Sequence, residues 1–143
     1  MGRAAFTGGE LEGLHVLVLD ENETERVLLQ NVLVHCGALV TVAPSAEGAL
    51  QSLERFVPEV IVCDLGTDRG ERAFQFLTIL RARPAARGGH VPVIAIVDDA
   101  ATYPISQTLE RGYQGYVVKP FEAWRLCRVV AEVADNHREF GNG

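Results

Sequence analysis

Nowhere among the 143 residues does an apolar run approach the roughly 20 that a membrane helix requires. The opening residues, MGRAAFTGGELEG, also lack the apolar block of a signal peptide. No membrane partner is expected, and the cytoplasm is the expected compartment. Basic charge is scarce, with 13 lysines and arginines against 19 aspartates and glutamates. Nucleic acid is a poor partner for such a chain, because its phosphates demand a basic face. Cysteine is confined to Cys36, Cys63 and Cys127, far apart, without a C-x-x-C pair, and each within an apolar stretch. They read as reduced core residues. No metal or disulfide is needed to hold a chain of this length, which can bury roughly two thirds of its unfolded surface. The four histidines lack metal-ligand spacing and no Ser/His/Asp triad can be placed. No G-x-G-x-x-G follows the first apolar run, which speaks against a dinucleotide site.

What the chain does have is four short apolar runs: HVLVL (15–19), VIVC (60–63), PVIAIV (92–97) and GYVVK (115–119), with a weaker ALVTV (38–42). They are continuous rather than alternating, as parallel strands covered on both faces are. Segments of helical spacing lie between them. Asn22 with Glu25 makes a capping box ahead of Val27, Leu28, Val32 and Cys36, and Gly37 is a stop. Ser45 caps a second helix reaching Phe56, a third covers Ala73 to Arg83, and a short fourth Pro104 to Arg111. Trp124, Cys127, Ala131 and Ala134 share one face of a fifth. The pattern is α/β, a doubly wound (βα)5 five-stranded parallel sheet with helices on both faces. It spans 14–137, leaving 1–13 as a flexible leader or linker remnant and 138–143 as a C-terminal tail.

In such sheets function collects at the carboxyl ends of the strands, near the point where strand order reverses. Those ends carry charges that apolar strands do not need: Asp20-Glu21, Asp64, Asp98-Asp99 after Val97, and Lys119. Converging carboxylates raise one another's pKa unless a cation sits among them. Hard oxygen donors with room for water suit Mg²⁺, which takes one or two carboxylates and a phosphate oxygen. A lysine opposite can pair with a phosphoryl group. The set suits phosphorylation of an aspartate, since a carboxylate is an established covalent phosphoryl acceptor.

The motifs VLVLDEN, VIVCDLG, PVIAIV and GYVVKPF, in this order and spacing between about Leu14 and Ala134, resemble the receiver domains of bacterial two-component response regulators. ELEGLHVLVLD and LRARPAARGGHVP add a likeness to receivers of hybrid sensor kinases. The resemblance implies a flavodoxin-like strand order, 2-1-3-4-5. It implies Asp64 as phosphoacceptor, and Mg²⁺ held by Asp20, Glu21, Asp64 and the main-chain carbonyl of Gly66. Lys119 would meet the phosphoryl group, Tyr116 would be the aromatic that changes rotamer on activation, and Lys119-Pro120 would be cis. The phosphoryl group would come from a phosphohistidine on a histidine kinase or histidine phosphotransferase. Output would pass to a downstream protein partner or to the parent protein, and a weak homodimer is allowed. Such a domain is a signalling substrate rather than an enzyme, at most catalysing its own phosphoryl transfer and autodephosphorylation.

Three features depart from the family pattern. Glu21 stands where a second aspartate is usual, which moves the carboxylate outward by about one bond. Val97 replaces a Ser or Thr and deletes the hydroxyl that would bond the phosphoryl group, so Tyr116 is expected to respond weakly. GTDRGER after the acceptor is one residue longer than the usual loop, and Asp98-Asp99 are expected in a solvated loop. Val97 and the loop keep open a pseudo-receiver, a docking module that no longer switches. A weaker alternative is a haloacid-dehalogenase-like phosphatase, since DENET loosely matches D-x-D-x-T. There, however, the acidic pair should follow the lysine, and Asp98-Asp99 precede Lys119.

Overall fold

The valine and isoleucine runs form five parallel strands, because β-branched side chains pack well on a pleated surface buried on both sides. The structure, a computed structural model, describes residues 8–140. In chain order the elements are β1 (His15–Leu19), α1 (Glu23–His35), β2 (Leu39–Ala43), α2 (Ala46–Ser52), β3 (Val60–Asp64), α3 (Glu71–Arg81), β4 (Val93–Val97), α4 (Ile105–Glu110), β5 (Gly115–Val118) and α5 (Ala123–Phe140), with a 3₁₀ turn at Ala85–Arg87. The sheet order is β2-β1-β3-β4-β5, with every neighbouring pair parallel. Strand order therefore reverses between β1 and β3, which is where the ends of those two strands bring Asp20 and Asp64.

Successive strand residues face opposite sides and build two cores. Val16, Val18, Val60, Val62, Ile94, Ile96 and Val117 meet Leu29 and Leu33 of α1 and Leu126 and Val130 of α5. Leu17, Leu19, Ile61, Cys63, Val93, Ala95 and Val97 meet Ala49 of α2 and Phe76, Leu77 and Leu80 of α3. Asn22 and Ser45 are N-caps, each side-chain oxygen accepting an N–H three residues on. The second helix is shorter than its cap suggests, ending at Ser52 rather than Phe56. No described helix is long and apolar enough to cross a membrane.

Two expectations are corrected. A flexible leader is expected through residue 13, yet Leu11 is fully buried and its N–H donates to the Cys36 carbonyl at 2.9 Å. Its apolar side chain belongs to the α1/α5 core, and residues 1–7 lie outside the described part. At the other end, α5 continues to Phe140, into the segment assigned as a tail, and 141–143 are outside the described residues.

The second correction concerns the cysteines, since Cys36 and Cys127 form a disulfide and only Cys63 keeps a thiol. Cys36 ends α1, Cys127 lies on α5, and both helices pack on the same face of the sheet. Residues 91 apart in sequence thus meet with Cα atoms 6.6 Å apart, a proximity that linear spacing cannot reveal. Disulfides persist in oxidising compartments, so cysteine usage no longer supports a cytoplasmic location. Alkylation in denaturant should label Cys63 alone without reductant, and all three cysteines after reduction, as counted by intact mass. Three labels without reductant would mean that the pair is reduced.

Candidate functional site

Asp20 directly follows β1, where its N–H donates to the Ala43 carbonyl at 3.2 Å and holds the residue at the sheet edge. Its side chain turns inward, leaving the residue 3% exposed. Oδ1 accepts the Asn22 N–H at 2.9 Å, whereas buried Oδ2 has no hydrogen-bond partner among the described residues. Burial pushes the Asp20 carboxyl up to about 6. The Asn22 N–H opposes that rise, Asp64 and Glu25 add to it, and Lys119 opposes it.

Asp64 is the last residue of β3. Its Oδ1 accepts the Gly66 N–H at 2.7 Å, and its Oδ2 lies 2.6 Å from Lys119 Nζ. Lys119 follows β5, where its N–H donates to the Val97 carbonyl at 2.9 Å and aims the side chain back across the strand ends. The same ammonium meets Asp98 Oδ1 at 3.1 Å and the Glu25 carboxylate. Burial by itself lowers the pKa of this ammonium, but Asp64, Glu25 and Asp98 outweigh it and hold the group above the ordinary lysine value. Lys119-Pro120 is cis.

These groups line a cleft of about 520 Å³ at the carboxyl ends of the strands. Carboxylate oxygens of Asp20, Glu25 and Asp64 lie within 4.8 Å of one another. Three such oxygens, one of them buried and unpartnered, form a hard-oxygen set that fits a small divalent cation. The Gly66 carbonyl accepts the Tyr103 phenol at 3.2 Å and keeps a second lone pair available.

The expected residues fall into two groups. Asp20, Glu21, Asp64, Gly66 and Lys119 all line the cleft, but Glu21 pairs with Arg72 at 2.9 Å and is not in the close carboxylate trio. Arg72 also binds Asp68 at 2.9 Å, so one guanidinium ties the long β3–α3 loop to the end of β1. That loop turns through Gly66, Arg69 and Gly70, all at positive φ. Val97 is buried in the α2/α3 core, and Tyr116 and Val118 pack against the same cluster. The Tyr116 phenol donates to the main-chain carbonyl of Tyr103.

Glu25 and Tyr103 gain a place at or beside the site that sequence did not give them, and Asp98 gains a partner there. The sequence pattern has Glu25 closing a capping box on Asn22, and half of the box is present: Asn22 Oδ1 accepts the Glu25 N–H at 2.9 Å. The Asn22 N–H is already taken by Asp20, which leaves the Glu25 carboxylate for Lys119. The usable signal was its position in the first turn of α1, beside the end of β1. Asp98, expected in a solvated loop, is about half exposed but pairs with Lys119, while Asp99 accepts the N–H and hydroxyl of Thr102. Tyr103 had no sequence signal, because its contact depends on how two loops meet.

A parallel sheet of this order, with carboxylates and a lysine gathered at its switch point, defines a flavodoxin-like α/β protein with a charged cleft. The chain belongs to the response regulator receiver domain family, whose pattern matches residues 16–131. It is a receiver domain of two-component signalling, a family of signalling domains that interact with histidine kinases or phosphotransfer proteins. A 14.6 kDa protein of Leptolyngbya boryana is 34% identical over 122 residues, covering 85% of this chain and 91% of that one. Against the sensory/regulatory protein RpfC of Xanthomonas campestris, identity is 25% over 90% of this chain but only 18% of RpfC. Of solved structures, the receiver domain of Francisella response regulator 1452 superimposes with TM-score 0.73 at 24% identity, covering 87% of this chain and 98% of that one. The receiver domain of a sensor histidine kinase from Pseudomonas aeruginosa, solved with a magnesium ion coordinated in its active site cleft, gives TM-score 0.74 at 24% identity over 86% of this chain and 98% of its own.

Proposed function

We propose that Asp64 accepts a phosphoryl group from a phosphohistidine on a histidine kinase or phosphotransferase partner. The observation that supports this most directly is Lys119 Nζ against Asp64 Oδ2 in the same cleft as the unpartnered Asp20 Oδ2. An Asp64 carboxylate oxygen attacks phosphorus, the P–N bond to the imidazole breaks, and its electron pair leaves with the nitrogen. An acyl phosphate results. Asp20, Asp64, Glu25 and the Gly66 carbonyl are the groups that would hold Mg²⁺, with Glu21 able to join if it leaves Arg72. When bound, the cation neutralises charge on the transferring phosphoryl group. Lys119 exchanges a carboxylate for a phosphoryl oxygen, holding the product in place.

Residues 14–137 are the receiver unit in this reading, extended at its start by Leu11, and a cytoplasmic location, part of the same reading, requires that Cys36 and Cys127 be reduced in the cell. Output goes to a downstream protein or to a parent protein. One feature favours the second reading, a docking module without phosphorylation: Lys119 is held by Glu25 and Asp98 as well as Asp64, and a phosphoryl group must compete with them. Intact mass after incubation with acetyl phosphate separates the two. The expected result is a gain of one phosphoryl group that requires Mg²⁺. No gain at any Mg²⁺ concentration would leave the docking module.

A further inference from the structure

Two hydrogen bonds lead from the cleft to β5 without passing through the carboxylates. The phenol of Tyr103, in the loop between β4 and α4, donates to the main-chain carbonyl of Gly66 at 3.2 Å. The phenol of Tyr116 on β5 donates in turn to the main-chain carbonyl of Tyr103. The ring of Tyr103 passes over Gly70, where an added Cβ would lie 3.5 Å from Tyr103 Cε1. Val97, at the end of β4, is buried and carries no hydroxyl that could make an equivalent connection.

We infer that Tyr103 is a positioning residue that orients the Gly66 carbonyl toward the cation position and transmits occupancy of the cleft to Tyr116. The inference rests on the reading of the cleft as a cation and phosphoacceptor site. A carbonyl oxygen has two acceptor lone pairs, so Gly66 can accept from Tyr103 while facing a cation. With a cation on that oxygen, the Gly66 carbonyl would be a weaker acceptor and the Tyr103 phenol would be held less tightly. The Tyr103 backbone then shifts, and with it the carbonyl on which the Tyr116 phenol rests. The route needs no side-chain hydroxyl at position 97, so the weak Tyr116 response expected from Val97 alone gives way to a response carried by Tyr103.

A neutral hydrogen bond biases a two-state equilibrium by roughly two- to ten-fold, which sets the expected size of the effect. The test is a Mg²⁺ titration of protein with ¹³C-labelled tyrosine rings, followed alongside the backbone amides around Asp20. The chain has three tyrosines, and Tyr113, buried and outside both hydrogen bonds, is the internal control. In the unmodified protein the Tyr116 ring should shift with the same midpoint as the Asp20 amides. Tyr103→Phe removes one oxygen; it should leave the metal-free amide spectrum in place, let the Asp20 amides still move with Mg²⁺ but at a higher midpoint, and reduce the Tyr116 shift at saturation by roughly two- to ten-fold. Tyr116→Phe should leave the Mg²⁺-dependent shift of the Tyr103 ring intact, since that ring contacts Gly66 directly. A full Tyr116 shift in Tyr103→Phe overturns the inference, as does a silent Tyr116 in the unmodified protein while the Asp20 amides move. In both cases the cation site itself stands. If the Asp20 amides do not move either, the cation reading falls together with the inference.

Discussion

Asp64→Asn should reduce labelling by acetyl phosphate and Mg²⁺ to background while leaving the fold intact. An amide oxygen is a far poorer nucleophile than a carboxylate oxygen, so the covalent step is lost at its first bond. The structural cost is small, because the amide oxygen of asparagine can still accept the Gly66 N–H that Oδ1 now holds. Lys119 loses one partner but keeps Glu25 and Asp98, so its ammonium is not left unpaired. Circular dichroism and thermal melting should therefore resemble the parent, and a lost label cannot be ascribed to unfolding. The measurement is intact mass across a time course, with peptide mapping of any residual label. Labelling of Asp64→Asn to the parent's extent would move the acceptor to another carboxylate of the cleft, with Glu25 and Asp98 the nearest to Lys119 in this structure.

Much of this arrangement was legible in the sequence, because strand ends are marked by abrupt changes from apolar to charged residues. HVLVL followed by Asp20, VIVC followed by Asp64, and GYVV followed by Lys119 place these residues at one sheet edge once the parallel order is set. The order of the sheet follows from the family resemblance and from the helical segments between runs. What the sequence did not carry is which carboxylate turns which way. Glu21 and Glu25 are both acidic and both near the end of β1, but Arg72 draws Glu21 to the β3–α3 loop and Lys119 draws Glu25 inward. Those two cations come from α3 and from the end of β5, so their positions depend on the assembled fold. The disulfide was hidden for the same reason, and Leu11 because an isolated leucine in a Gly-rich segment has no periodicity to mark it.

Asp20→Asn should stabilise the metal-free protein at neutral pH and abolish its stabilisation by Mg²⁺. The Asp20 carboxyl sits at about 6 in the folded chain, against an unfolded value of 3.8, chiefly because burial disfavours its charge. The folded state therefore keeps this proton more tightly than the unfolded state. Between the two values the unfolded chain binds fewer protons, so stability falls as pH rises through that window. Once both states are ionised, the deficit corresponds to roughly 3 kcal/mol, an order-of-magnitude figure. Asparagine removes the buried charge, keeps an oxygen for the Asn22 N–H, and puts an amide donor near the carboxylates of Asp64 and Glu25. A gain of about 1 to 3 kcal/mol is expected at pH 7 without metal, shrinking toward zero below the unfolded value, where the native carboxyl is protonated as well. Mg²⁺ should reverse the ranking, because a cation bound only by the folded state stabilises it by mass action and Asp20→Asn has lost an ionised ligand. Urea denaturation at pH 7 and at low pH, with and without Mg²⁺, measures both halves. A loss of stability in metal-free Asp20→Asn at pH 7 would show that the Asp20 carboxylate is satisfied as it stands, and the case for a cation at its free oxygen would go with it.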